Sequence, residues 1–272
     1  MNTYRRFTCV NRSIQFFLNQ DTQADTELII YNTDVENPMT LSNELSDKNI
    51  RVVNNNTDYV TNNPYTNIGD IRRDSLDSAT GDYYICWDDD DIFMPWHIRQ
   101  CIDGFSKNPD IWAWKPHTSM WWQIGQKPAL ACNNMEASII VRLDKLREYN
   151  FTSHLGGGEH LRWMSEFKNV NKLYTDIDSV PSYCFNWHDS DTKVRGHKQS
   201  GSINRVDNFN FHKKHTTDFA TGPLSGCANI NDIYDQHIQL IKNNIEIKQP
   251  NNYIISTYNY EKYCKQYDKY DE

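Results

Sequence analysis

Apolar residues in the N-terminal part of the chain alternate between helical and strand-like spacing. From Arg12 to Gln20, Ile14, Phe17 and Leu18 fall at i, i+3 and i+4, one face of a helix, with Asn11 as a suitable N-cap. Thr26 to Asn32 (T-E-L-I-I-Y-N) then reads as a buried strand and Asn49 to Asn54 (N-I-R-V-V-N) as a second. Ile68, Ile71, Ser75 and Ala79 trace a helix ending near Gly81, and Tyr83 to Trp87 (Y-Y-I-C-W) is a third strand. Pro95 stands where another helix begins, with Ile98, Ile102 and Phe105 on one face and Pro109 beyond its end. Strands alternating with helices imply right-handed crossovers and an α/β fold with a mainly parallel sheet. Ligands of such sheets bind beyond the carboxyl ends of the strands, which directs attention to the positions after Tyr31 and after Trp87.

The pattern is less regular further on. Ile111 to Lys115 and Ala137 to Val141 read as strands, Glu159 to Lys168 as a helix, and Pro181 to Trp187 as extended chain. Past about residue 206 comes a tail with one amphipathic helix (Ile230, Ile233, Tyr234, His237, Ile241) and a Tyr-rich end. The expected organisation is one two-part domain, residues 1–105 and 106–205, followed by a tail over 206–272.

With 272 residues, 38% of them hydrophobic, the chain is long enough to bury a substantial core. No run of about 18 apolar residues occurs, and the start (Met1 to Arg6) lacks the apolar stretch of a secretory signal, so neither a membrane span nor classical secretion is expected. Lys and Arg total 28 against 36 Asp and Glu, a net charge of −8, which argues against a dedicated nucleic-acid binder. A local basic segment (Lys193, Arg195, Lys198, Lys213, Lys214) leaves DNA binding as an alternative. The seven cysteines are odd in number and form no C-x-x-C pair, so a reducing, cytoplasmic compartment is expected rather than a disulfide framework or a zinc knuckle.

Asp88, Asp89, Asp90 and Asp91 follow the third strand directly. Neighbouring carboxylates repel by roughly 1 kcal/mol in water and about 4 at an intermediate dielectric, so a run placed there needs a compensating cation. Acidic runs are commonly solvated loops. This one is flanked by Trp87 and by Ile92, Phe93 and Met94 at a strand's carboxyl end, which points to a metal-linked site. In extended chain Asp88 and Asp90 share a face while Asp89 points away, and oxygen ligands of this kind suit Mg²⁺ or Mn²⁺. The ligand spacing of an EF-hand is missing.

These residues resemble a family. G-D-Y-Y-I-C-W-D-D-D-D-I-F-M-P-W-H-I (Gly81 to Ile98) is similar to the D-x-D region of the inverting GT-A glycosyltransferases, family 2-like, where "atGdyi…LDxDD…P" ends the nucleotide-binding half. Upstream, C-V-N-R (Cys9 to Arg12) is similar to the family's T-Y-N-R, Asn19 and Gln20 to its helix end, and Thr26 to Asp34 to its second strand. Ile68 to Leu76 resembles its Arg-bearing helix. The resemblance covers about residues 5 to 105 in order. It implies a GT-A fold, a nucleotide-sugar donor, UDP-linked, and a bound Mn²⁺ or Mg²⁺. Residue by residue, it makes Asp88 and Asp89 donor-binding positions, with Asp88 near the ribose, and Asp90 the ligand of the metal on the diphosphate, with Asp88 a second ligand and Asp91 a neighbour. Asn11, Arg12, Arg72 and Arg73 belong to the same donor set. The acidic residue that reads the base after the second strand is here Asn32, with Asp34 two positions on.

Displacement at an anomeric carbon also needs a general base. H-L-G-G-G-E-H-L-R-W (His154 to Trp163) resembles the family's "gxEDxxLxxR" region, where a carboxylate at a helix start is the base. Glu159 fits it, and His160 stands where the family carries Asp, so either residue qualifies. Three glycines before the helix permit close backbone approach to a ligand. GT-A enzymes often bring a C-terminal His toward the metal, which makes His197, and after it His188, a candidate third ligand. Trp112, Trp114, Trp121 and Trp122 are suited either to stacking on a sugar or to filling core. The expected function is sugar transfer to a hydroxyl acceptor such as a glycan, a protein or a hydroxymethylated phage DNA base, since the small Asn-rich chain resembles stand-alone enzymes of bacteria and phages. A non-catalytic nucleotide- or sugar-binding module is the other alternative.

Overall fold

The structure is a computed structural model and describes residues 1–4, 6–45, 47–123, 129–132, 136–149, 160–179, 181–187 and 254–255. The basic segment, the helix read at Ile230 to Ile241 and the candidates His188, His197 and Glu159 lie outside the described residues.

The chain opens with β1 (Asn2–Thr3) and α1 (Phe7–Leu18), followed by β2 (Leu28–Asn32), β3 (Thr40–Leu41), β4 (Ile50–Asn54) and α2 (Ile68–Asp77). β1, β2 and β4 form a parallel sheet in the order β1-β2-β4, with Leu28 opposite Ile50 and Asn32 opposite Asn54. α1 starts at Phe7, not near Arg12, and Asn11 is a buried residue inside it rather than its cap. The apolar stripe explains the early start, because Phe7 and Val10 continue the Ile14 and Phe17 face backward, and Val10 and Ile14 are fully buried. α2 begins where expected, with the Asn67 side chain accepting from the Asp70 amide at 3.0 Å.

Then come β5 (Tyr83–Ile85), β6 (Ile92–Phe93), α3 (His97–Ser106), β7 (Ala113–Pro116), β8 (Thr118–Gln123), β9 (Ala129–Cys132), β10 (Ile140–Arg142), α4 (Leu143–Arg147), α5 (Leu161–Asn169), β11 (Leu173–Asp176), β12 (Tyr183–Trp187) and β13 (Ile254–Ile255). β5 pairs antiparallel with β10 in a sheet of order β11-β7-β10-β5, not with the parallel sheet. Burial accounts for that pairing, since Ile85, Trp114 and Ile140 share one apolar cluster with Cys101 and Phe105 of α3. A third sheet has the order β6-β12-β8-β9, and β13 pairs with β3. Ala137, read as the start of a strand, lies in a 3₁₀ turn (Glu136–Ser138) before β10.

Two of the four candidate tryptophans belong to packing. Trp114 is fully buried, and α3 lies so close to it that a Cβ on Gly104 would fall 2.2 Å from the indole ring. Trp112 packs edge-on against Phe167 of α5. Trp121 and Trp122 lie in β8.

Candidate active site

β5 ends at Ile85, and the chain bends at Asp89, Asp90 and Asp91, so the alternation expected of an extended run does not hold. The bend parts the carboxylates among different partners. Arg6 donates from Nη1 to Asp89 Oδ1 at 3.0 Å and also to Asp90. Arg72 Nη2 lies 3.2 Å from Asp88 Oδ1, and the Tyr183 hydroxyl donates to Asp91. Two arginines, Arg6 at the threshold of α1 and Arg72 of α2, therefore supply positive charge to the run. α1 grips the backbone as well, with Arg12 Nη2 donating to the Asp90 carbonyl at 2.8 Å and Ser13 Oγ to the Asp88 carbonyl at 3.3 Å.

Burial and the neighbouring Asp90 push the Asp89 carboxyl up to about 6, against the pull of Arg6. Burial opposes the charge on Arg6, but Asp89 and Asp90 outweigh it and raise its affinity for the proton. Beneath the run, Trp87 stacks on Phe93 with centroids 3.8 Å apart, and His97 packs against both rings. Burial pushes the His97 imidazole down to about 3, and its Nδ1 lies 2.9 Å from Ser182 Oγ.

Arg72 reaches beyond Asp88. Its Nη1 lies 3.2 Å from Glu136 Oε2, and the same carboxylate oxygen is 3.6 Å from His160 Nδ1. One guanidinium thus joins the aspartate run to the turn before β10 and to the residue that opens α5. Sequence reasoning found Arg72, Asp88 and His160 but missed Arg6, Glu136 and Tyr183. Arg6 and Asp89 are 83 residues apart, and no local pattern links them.

The remaining donor candidates are placed differently. Asn32 is fully buried, and its amide donates to the Asp34 and Asn37 carbonyls, each at 3.1 Å, and to Asn54 Oδ1 at 2.8 Å. Its own Oδ1 accepts from the Asp34 amide at 3.0 Å, while Asn37 donates to the Asp34 carboxylate at 2.8 Å. Asn32 and Asp34 therefore shape the turn beyond β2. Arg73 points into a separate acidic cluster, 3.0 Å from Asp58, 3.1 Å from Asp70 and 2.8 Å from Asp74.

Among the described residues no group of three or more His, Cys, Asp or Glu side chains is arranged to hold a metal ion. The oxygens of Asp88 and Asp90 nevertheless fit a hard divalent ion, which commonly takes one or two carboxylates and fills its other positions with water and phosphate. Asp88 is the more accessible of the two, with 29% of its side chain exposed, whereas Asp90 is paired with Arg6. No helix of the described residues is long and apolar enough to cross a membrane.

No family model and no curated protein matches this chain. Solved structures do. The 1–349 segment of TarS from S. aureus superposes with a TM-score of 0.50 at 15% identity, over 68% of this chain and 58% of that one, so the match spans little more than half of its length. The same segment in complex with UDP-GlcNAc gives a TM-score of 0.51 at 14% identity, over 89% of this chain and 70% of that one. A glucosyl-3-phosphoglycerate synthase from Mycobacterium tuberculosis, in complex with Mn²⁺ and UDP-glucose, superposes at 0.44 with 13% identity, over 78% of this chain and 73% of that one. With its parallel β1-β2-β4 sheet and the likeness to TarS, the chain has the α/β GT-A fold of glycosyltransferases.

Proposed function

We propose that this chain is a metal-dependent inverting glycosyltransferase that moves a sugar from a UDP-linked donor to a hydroxyl acceptor. The observation that carries the reading is the Arg72 bridge, which holds Asp88 of the aspartate run on one side and Glu136 beside His160 on the other. On this reading Asp88 serves the donor side and His160 the acceptor side, and the bridge supports it by linking the two through Arg72 and Glu136. Residues 1–105 form the donor half, residues 106–205 the acceptor half, and 206–272 the tail.

In the reaction an acceptor oxygen attacks the anomeric carbon on the face opposite the nucleotide. The new carbon–oxygen bond forms as the bond to the diphosphate breaks, the electron pair leaves on UDP, and the configuration inverts. The hydroxyl proton passes to Glu159 or His160 as general base. When bound at Asp88 and Asp90, Mn²⁺ or Mg²⁺ supplies positive charge to the departing diphosphate. Arg6 and Arg12 hold the backbone and carboxylates of the run in place, so the site is organised before the donor arrives. Acceptors consistent with the reading are a glycan, a protein or a hydroxymethylated DNA base.

The test is thermal stability against a panel of nucleotide sugars, with and without Mn²⁺, followed by UDP release from any donor that stabilises the chain. UDP-GlcNAc, bound in the TarS structure of the same fold, is the first donor to try. Metal-dependent stabilisation by one UDP-sugar supports the reading; no stabilisation by any member of the panel opposes it. Stabilisation without UDP release in the presence of diverse hydroxyl acceptors identifies a binding module instead.

A further inference from the structure

Glu136 is a buried carboxylate that no motif announces, with 4% of its side chain exposed, in a turn whose other members, Ala137 and Ser138, are buried as well. A buried carboxylate is costly unless cations face it. Arg72 faces Glu136 and is shared with Asp88, at 3.2 Å from each. Titratable groups facing Glu136 include His160, Tyr84 and Cys86 besides Arg72. Burial pushes the Tyr84 hydroxyl and the Cys86 thiol well up, so both stay neutral. His160, by contrast, can take up positive charge, and its Nδ1 lies 3.6 Å from the carboxylate oxygen that also faces Arg72.

We propose that Glu136 is a positioning residue for His160: its carboxylate holds the imidazole by Nδ1 and links it, through Arg72, to Asp88. At 3.6 Å the pair is an electrostatic contact rather than a formed hydrogen bond, and a carboxylate on that side of the ring favours the proton on Nδ1, which leaves Nε2 as the basic nitrogen of the neutral ring. The imidazole then presents a defined nitrogen to an acceptor hydroxyl, whether His160 takes the proton itself or orients the hydroxyl for Glu159. The role rests on the glycosyltransferase reading, but its physical content, a carboxylate that sets His160, is measurable without any substrate.

The experiment is an NMR titration of the His160 ring in the full chain, in wild type and in Glu136→Gln, with folding checked by circular dichroism. His160 in the wild type titrates above the ordinary histidine value, and Glu136→Gln lowers its pKa by about one unit. Glu136→Asp, which keeps the charge, restores most of the shift. If Glu136→Gln does not fold, the wild-type value alone decides, compared with the same histidine in the urea-unfolded chain. A His160 pKa at or below the unfolded value, or one unmoved in a folded Glu136→Gln, overturns the proposal. UDP with Mn²⁺ is tested separately by thermal shift. Loss of that response in the wild type sinks the glycosyltransferase reading and leaves the His160 measurement standing, whereas an unmoved His160 with an intact UDP response sinks this proposal alone.

Discussion

The guanidinium of Arg6 lies 3.0 Å from the carboxylate of Asp89 and reaches Asp90 as well, joining the cap of the first helix to a run 83 residues away. The two partners differ in exposure, 23% for the Arg6 side chain and 2% for Asp89, so removing Arg6 leaves a buried charge without its cation. Arg6→Ala is expected to cost about 1 kcal/mol in urea denaturation at neutral pH, because an Asp89 carboxyl that already titrates at about 6 limits the penalty by taking up a proton. The loss shrinks below the Asp89 pKa of about 6, where that carboxyl is protonated. A loss independent of pH would place its origin in packing rather than charge.

Gly104 is the contact point of α3 with β7. Alanine is a better helix former by about 1 kcal/mol, yet its methyl would sit 2.2 Å from the Trp114 ring. The clash prevails, because Trp114 is fully buried and cannot swing away. Gly104→Ala should destabilise by about 1 to 3 kcal/mol and lower the melting temperature by several degrees. An unchanged or raised melting temperature would contradict the close approach.

His97 makes stability depend on pH. Its folded value, about 3, lies below the ordinary 6.5, so the unfolded chain gains a proton that the folded chain refuses as pH falls. The contribution is complete above 6.5 and is lost progressively between 6.5 and 3, at up to about 1.4 kcal/mol per pH unit. Asp89 acts oppositely, with its folded pKa raised, so it adds stability as pH falls from about 6 toward its ordinary value of 3.8. The comparison is therefore wild type against His97→Gln: the stability gap between them should narrow from pH 7 to pH 4. A gap constant across that range would mean that His97 takes up its proton while folded.

Much of this was legible in the residues, and the failures have physical causes. β2, β4, α2 and α3 carry apolar spacing that burial enforces, and the structure places each within a few residues of its expected bounds. β1 has only Asn2 and Thr3, with no apolar signal, and exists through its pairing with Tyr31 and Asn32. The first turn of α1, F-T-C-V, carries aromatic and β-branched residues with little intrinsic helix preference, so the expected helix started only near Arg12. At the site, the aspartate run was visible as a local motif, whereas Arg6, Glu136 and Tyr183 act across long sequence separations that single-sequence patterns do not encode.

The base assignment separates cleanly by mutation. If Glu159 accepts the proton, Glu159→Gln keeps donor binding and lowers turnover by roughly 10² to 10⁴. If His160 accepts it, Glu159→Gln is mild, His160→Asn is severe, and the rate rises with pH through the His160 pKa. Steady-state rates of both variants across pH decide, and near-normal turnover in both would remove the base from this segment altogether.

The most direct measurement is calorimetric titration of UDP into wild type and Asp90→Asn, each with and without Mn²⁺. Wild type should bind UDP far more tightly with Mn²⁺ than without. Asp90→Asn should lose that metal dependence while its circular dichroism and melting curve remain those of a folded chain, since the substitution removes one carboxylate from a mutually repelling run. Metal-dependent UDP affinity that survives unchanged in Asp90→Asn, or a wild type that binds no UDP under either condition, would contradict a donor site at the aspartate run.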